Sequence, residues 1–412
     1  MALVRVSVDR EHVAGNGAKG TLLLGDVQEM LPKLVEQYAG TVKTLYLDPP
    51  FLTGKKFEMR VHVGEKEWKT GASSLTVTAY QDMADRDSYM AMMRHVLTES
   101  RKLLRDDGMV FLHIDYRMHA HLRLLMDEIY GEDNLLNELI WMYQSGGRST
   151  KHFSRKHDII LFYRKTKNYD FDISAVGVPR TETRHNHMRR HVDADGRVYR
   201  SIKSGGRIYT YYDDEPVPPG DVWDDVSHLQ QKDPQRTGYD TQKPLRLLER
   251  IILCSAREEE LVCDLFMGSG TTMAAAAGLN RQFLGVDKSR VAINTARRRL
   301  LDTDMDVVAL PCEGEPEAQA ELNRGIAFYE VNLNAFDPRF GEREFEGLDA
   351  VDNWSVGYLR NGRFVAESHG VRTRRKPALP AVLELPVYEG TVAVRIADVY
   401  GRDFYYIFDD VE

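Results

Sequence analysis

Strand and helix signatures alternate at both ends of this chain, and the pattern leaves few architectures open. Apolar residues 261–265 lead into Asp264-Leu265-Phe266-Met267-Gly268-Ser269-Gly270-Thr271-Thr272. Helical spacing follows over 271–278, then a strand pattern over 283–286 and a helix over 289–301. Upstream, 21–24 reads as a strand, Met30, Leu31 and Leu34 as a helix face, and 42–47 as a second strand. That strand must stop at Asp48-Pro49-Pro50-Phe51, because neither proline nitrogen can donate to a ladder. Residues 52–82 read as a long irregular excursion. Met90, Met93, Leu97 and Leu104 mark a further helix, broken at Gly108, and 109–114, 139–143 and 159–163 read as strands. Such alternation, interrupted once, predicts one parallel-type α/β sheet built from both parts of the chain around an insertion.

Two short stretches carry chemistry. In the first, the glycines after the strand 261–265 let backbone approach a ligand closely, and the helix that follows presents free N–H groups to it. Asp287 closes the next strand, 19 residues after Gly268. A carboxylate at that distance can accept hydrogen bonds from both ribose hydroxyls of a nucleoside cofactor. Alone, the glycine turn is equally well a structural tight turn. The second stretch is Asp48-Pro49-Pro50-Phe51. An exocyclic amine on an aromatic ring is a poor nucleophile, because its lone pair is delocalised. The Asp48 carboxylate and the Pro49 carbonyl could accept its two N–H bonds and aim the lone pair at a methyl donor, with Pro50 stiffening the loop. Phe51 offers a flat face to a base taken out of a duplex. Alone, this stretch also reads as a rigid turn beside a core Phe. If both stretches lie at the carboxyl ends of neighbouring strands, they share one crevice.

Charge is unevenly spread. The formal net charge of −8 argues against a nucleic-acid partner, yet residues 146–207 hold 15 Lys/Arg against 6 Asp/Glu, and residues 301–350 hold 3 against 13. The basic segment interleaves Tyr199, Tyr209, Tyr211 and Tyr212, which suits phosphate contact and stacking. Three cysteines, Cys254, Cys263 and Cys312, fit reduced structural thiols in a cytoplasmic protein. No apolar run approaches the ~20 residues of a membrane span, and the first residues lack a secretory signal. His185, His187 and His191 have helical spacing in part, but no HExxH or Cys partner, so no metal site is expected. His113 and Asp115 end a strand and read as structural, as do Trp68, Trp141, Trp223 and Trp354.

In order along the chain, these stretches resemble a β-class DNA amino-methyltransferase of restriction–modification systems, similar to type III modification subunits. Gly25-Asp26 resembles the acidic element before the catalytic strand, and LYLDPPF the catalytic motif. LLRDDGMVFLHID resembles the helix and strand that follow, and FSRKHDIILFYRK a segment shaping the base pocket. Thr241-Gln242-Lys243-Pro244 and DLFMGSGTT resemble cofactor motifs. The resemblance covers most of residues 20–300. It implies a Rossmann-like α/β fold that uses S-adenosyl-L-methionine and methylates N6 of a flipped-out adenine in double-stranded DNA. Asp48, Pro49, Pro50 and Phe51 would form the catalytic site, and Asp26, Lys243, Asp264, Phe266, Gly268, Ser269, Gly270, Thr271 and Asp287 would bind the cofactor. The expected layout is a catalytic half over 1–164, a target-recognition insertion over 165–240 and a cofactor-binding half over 241–302. An acidic linker over 303–328 and a C-terminal β-sandwich-like module over 329–412 complete it. Gly220 to Asp225, GDVWDD, reads as a structural connection. Three departures stand out: Phe51 where Tyr is commonest, Leu265 where Pro is frequent, and the unusual C-terminal module. Cytosine N4 as the target, and a catalytically silent DNA-binding subunit, remain as alternatives, and homodimerisation or a cognate restriction subunit is left open.

Overall fold

The computed structural model describes residues 3–15, 19–66, 75–143, 149–178, 188–230, 232–341, 343–373 and 375–408. Trp68, His185 and His187 lie outside these residues. The centre is a parallel sheet in which Met305–Val308, Gly20–Leu24, Gln282–Asp287, Leu261–Asp264, Val42–Leu47 and Leu104–Ile114 lie side by side in that order. His157–Arg164 then joins antiparallel to Leu104–Ile114, and Leu135–Met142 antiparallel to it in turn. Every residue of Val42–Leu47 is buried, as expected of a central strand covered on both faces.

Helices cover both faces. Val27–Tyr38 starts where the Asp26 side chain accepts from Gln28 N at 2.9 Å, and it buries Val27, Leu31 and Leu34. It packs with Arg86–Leu103, which buries Met93, Val96 and Leu97. Leu245–Ser255 and Thr271–Gly278 lie on the opposite side, in a second core with Val262, Met273 and Phe283. Helix and sheet apolar faces thus meet in two layers, the arrangement that the alternating pattern predicts.

Two expectations change. Residues 52–82 hold an antiparallel hairpin, Lys56–Val61 with Leu75–Gln81, rather than a wholly irregular excursion. Met59 and Val61 alternate with charged residues and bury against Val291, Ala292 and Tyr239. The proposed acidic linker is not a linker. Met305–Val308 is a strand of the main sheet with Met305 and Val307 buried, while Asp304 and Asp306 stand beside His12 at 3.7 and 3.1 Å. Glu317–Arg324 is a strand as well, pairing with Phe328–Asp337. Its alternate Ala318, Ala320 and Leu322 join the core there. The acidic residues that make this stretch look like a linker sit on the solvent side of a period-two pattern.

At the C-terminal end two sheets face each other. Glu317–Arg324, Phe328–Asp337 and Val382–Pro386 form one, and Val351–Arg360, Arg363–Val371, Thr391–Asp398 and Asp403–Phe408 belong to the other. Trp354, Val356, Ile396, Phe336 and Leu333 fill the space between. The second of these sheets is continuous with the central sheet, because Arg10–Val13 pairs with both Met305–Val308 and Arg363–Val371. A separate three-stranded antiparallel sheet, Arg189–Val192, Val198–Ser204 and Arg207–Tyr212, occupies the insertion. No helix among the described residues is long and apolar enough to cross a membrane.

Candidate active site

Leu261–Asp264 and Val42–Leu47 are hydrogen-bonded neighbours, with Asp264 opposite Tyr46. Their carboxyl ends therefore deliver the glycine turn and the Asp48-Pro49-Pro50-Phe51 loop to one place. A cavity of about 510 Å³ opens there. Asp26, Asp48, Phe51, Lys243, Phe266 and Asp287 all line it, as do Pro49, Pro50, Gly268, Ser269 and Thr271.

On the acceptor side, the two oxygens of Asp48 differ. Oδ2 accepts from Lys243 Nζ at 2.5 Å, while the buried Oδ1 has no hydrogen-bond partner among the described residues. An unmatched carboxylate oxygen at the floor of a cavity is an acceptor waiting for a donor. Lys243 also stands 5.1 Å from the centroid of the Phe51 ring. It thus sits at the Asp48 carboxylate as well as on the shared cavity wall. Phe51 lies against His113 at 6.1 Å and 26°. His113 is wholly buried and contacts the Tyr46 hydroxyl through Nδ1 at 2.8 Å and Asp158 through Nε2 at 3.1 Å. The Tyr143 hydroxyl donates to the other Asp158 oxygen at 3.0 Å. Burial opposes charge on Asp158, but His113 and Lys243 overcome it and hold this carboxyl below the usual range. Leu52, just after Phe51, is held at φ 55°, a left-handed conformation that costs a non-glycine residue energy.

On the donor side, Gly268 has φ +50°, and a Cβ there would meet the Tyr239 ring at 3.4 Å. Its N–H donates to Asp287 Oδ2 at 2.9 Å, and Ser289 N donates to Oδ1 at 2.8 Å. Each carboxylate oxygen keeps a lone pair for a ligand hydroxyl. Desolvation in the crevice holds Asp287 above the usual carboxylate range. Asp264 is different. Its oxygens accept from Phe266 N at 3.0 Å and Thr272 Oγ1 at 2.5 Å, so it braces the turn. Burial pushes it up to about 7. Gly270 is absent from the cavity wall. At φ +73° it permits close packing on Ala296, whose Cβ would lie 2.5 Å from an added Cβ. Its glycine answers to helix packing rather than to ligand approach.

Sequence reasoning misses several wall residues. Tyr46 and Asp158 lie in the stretches that resemble the catalytic motif and a base-pocket segment but are not singled out there, Tyr143 reads only as a strand end, and Trp141, read as a packing residue, borders the cavity while donating to Val226 O at 2.7 Å. It also misses Arg299, which is not in the wall but supports it: Nη1 donates to Ser269 O at 2.9 Å and Thr271 Oγ1 at 3.0 Å, fixing the turn from behind. Desolvation lowers this guanidinium to about 10. The Arg297-Arg298-Arg299 run shows only a basic helix end in sequence. Asp115 accepts from Arg117 N at 2.8 Å and caps a strand end, and Asp225 of GDVWDD pairs with Arg250 at 2.5 Å, both structural roles.

These residues fit S-adenosylmethionine. Asp287 and Asp26 provide acceptors, the Gly268 turn and the following helix provide close backbone, and Phe266 provides a flat apolar surface. The aimed acceptor at Asp48 Oδ1 lies in the same cavity.

A family profile described as DNA methylase matches residues 42–298. The chain is 28% identical to Type II methyltransferase M.EcaI of Enterobacter cloacae, over 62% of this chain and 64% of that one. It is 25% identical to the StyLTI Mod subunit, a type III restriction–modification enzyme of Salmonella typhimurium LT2, over 88% and 66%. It is 27% identical to DNA adenine methyltransferase YhdJ of Escherichia coli K12, over 69% and 84%. The chain therefore spans just under two thirds of the length of the first two relatives. With both motifs in one cavity and the profile spanning the sheet that carries them, the chain belongs to the DNA methylase family of N6 and N4 amino-methyltransferases, whose methyl donor is S-adenosylmethionine.

Proposed function

We propose that the protein methylates N6 of an adenine flipped out of double-stranded DNA at a specific sequence. The observation that carries this reading is Asp48, whose Oδ1 is buried and unmatched beside the donor turn. S-adenosylmethionine supplies the electrophilic methyl group when bound. Asp48 Oδ1 and the Pro49 carbonyl accept the two amine hydrogens, and Lys243 holds Oδ2 so that the carboxylate cannot swing away. Phe51, backed by His113, takes one face of the base. The adenine assignment is supported by the Asp-Pro-Pro form of the loop and by a relative named as an adenine enzyme.

The insertion suits duplex recognition. Arg197 and Arg200 are taken by Asp214 and Asp213 at 2.9 Å. Arg189, Arg190, Lys203 and Arg207 are exposed and make no ion pair among the described residues. They are the cations left for phosphates.

The deciding experiment is modification-sensitive long-read sequencing of DNA from cells expressing the protein or its Asp48→Ala variant. N6-methyladenine at one motif, absent with the variant, is the expected result. N4-methylcytosine at that motif would replace adenine as the target. Unmodified DNA beside intact cofactor binding would point to the silent subunit.

A further inference from the structure

Phe153 is 99% exposed. A single exposed apolar side chain is ordinary on a protein surface. This one is set apart by how and where it is held. Its turn is pinned from both sides: Ser149 N donates to Ser154 Oγ at 3.1 Å, and Lys151 N and His152 N donate to Ser149 Oγ at 3.3 Å. His152 Nδ1 bonds the Phe153 carbonyl at 2.9 Å. Lys151, His152 and Arg155 around it are exposed, while Ser154 and Lys156 turn inward. Arg155 stacks on Tyr116 at 4.0 Å and donates to its hydroxyl at 2.9 Å.

The turn sits at the mouth of the candidate active site. It leads into His157–Arg164, which pairs with Leu135–Met142 so that His157 faces Met142 and Asp158 faces Trp141. Ile114 pairs with Ile159 at the same end, and Leu47, next to Asp48, pairs with Leu112. Tyr143 N donates to Lys156 O at 2.9 Å, so the turn is tied to a residue of the cavity wall. Phe153 itself is not in that wall. Phe51, Tyr143 and Trp141 already supply the aromatic surface inside.

We propose that Phe153 enters the duplex beside the target and fills the gap left in the base stack by the extruded nucleotide, with Lys151 and Arg155 against the flanking phosphates. A nucleotide rotated out leaves two neighbours unstacked, and a flat apolar ring on a pinned, cationic turn restores that surface at little ordering cost. No bond is made or broken in this step. The inference rests on the proposed action on duplex DNA.

The test uses the full-length protein, S-adenosylmethionine and a duplex carrying the motif read by sequencing, paired normally or with an abasic nucleotide opposite the target. Wild type and Phe153→Ala are compared for turnover, and for fluorescence of 2-aminopurine placed at the target. Cofactor binding serves as the folding control, since an exposed ring contributes little to the core. The expected result is a loss of about tenfold or more on the paired duplex, in turnover and in 2-aminopurine signal. The abasic duplex should restore most of both, because the base pair that opposes extrusion is gone. Equal behaviour of variant and wild type on the paired duplex overturns the wedge. So does a loss that the abasic duplex fails to restore, which would place Phe153 on the flipped base instead. If wild type leaves both duplexes unmodified, the functional reading itself has failed.

Discussion

Asp48 and Asp264 are four-atom side chains of identical chemistry that line one cavity and differ in what surrounds them. Asp48 keeps one oxygen unmatched and one on Lys243. Replacing it with Ala should cut methyl transfer by about 10²–10³-fold or more, the scale of losing an aimed polar partner. Binding of S-adenosylmethionine should stay largely intact, because of the groups proposed to hold it only Lys243 is hydrogen-bonded to Asp48. A cofactor titration beside a turnover assay checks this, and equal loss of both would remove Asp48 from the acceptor role. Asp264 has both oxygens bonded within its own turn. Burial raises its carboxyl to about 7 from the ordinary 3.8. A raised acid favours the folded state while protonated, so its contribution is complete below about pH 4 and is lost as pH rises towards 7. Asp264→Asn keeps an acceptor for Phe266 N and offers an amide to the Thr272 hydroxyl without the charge. Its melting temperature should therefore fall less between pH 5 and pH 8 than that of wild type. An unchanged fall in thermal melts would show that Asp264 is not the titrating group.

At the scale of elements, the insertion sheet and the core behave differently. Arg207–Tyr212 is exposed along nearly its whole length, with Tyr209 45% exposed and Arg207 and Tyr211 on the same face by alternation. Tyr209→Ala should weaken DNA binding by about 1–3 kcal/mol if the ring stacks on a base, with cofactor affinity unmoved. Fluorescence anisotropy on the motif duplex, at a stated salt concentration, reads this directly. Much of the core was legible beforehand for a physical reason. Central strands such as Val42–Leu47 and Gln282–Asp287 are mainly apolar, and the prolines after Asp48 and the glycines after Asp264 punctuate the chain abruptly at strand ends. The site was legible where chemistry and chain punctuation coincide. It was not legible at Tyr143, which reaches the cavity through strand pairing, nor at Arg299, which braces the glycine turn through helix packing, and Asp158 shows only as one residue of a stretch resembling a base-pocket segment. The Lys56–Val61 hairpin strand was missed because Lys56, Glu58 and Arg60 mask the alternation of Phe57, Met59 and Val61. The same masking by acids turned Met305–Val308 into an apparent linker.

Over the whole molecule, a buried ionic cluster joins parts remote in sequence. Arg297, at the end of a helix on the central sheet, holds Asp403 bidentately at 2.7 and 2.8 Å and lies 3.2 Å from Glu11. Arg395 lies 3.0 Å from Asp403 and 3.1 Å from Glu11. The Glu11 contacts are ion pairs whose angles fall outside hydrogen-bond geometry. Burial would raise Asp403, but the two guanidiniums overcome it and hold it at about 2. Its stabilising contribution is therefore present above pH 4 and is lost as pH falls from there towards 2. Asp403→Asn leaves two buried cations with one carboxylate and should destabilise the fold by about 3–5 kcal/mol. Because the cluster ties the C-terminal sandwich to the central sheet, the loss should lower one shared melting transition. Separate early melting of the C-terminal strands, seen by hydrogen exchange, would refute that coupling.

The cluster also sets an order on synthesis. Glu11 leaves the ribosome 392 residues ahead of Asp403. At about 5–20 residues per second, it waits roughly 20–80 s for Asp403. The helix that carries Arg297 emerges in between, so one acid and one base can meet early, but the second pair is added only by Thr391–Asp398 and Asp403–Phe408. Leu3–Val6 likewise waits for its neighbour, Asp403–Phe408. A ribosome stalled before those strands would hold a sheet with an open edge and a charge cluster half assembled. Folding here thus stitches late-made strands onto residues made long before them.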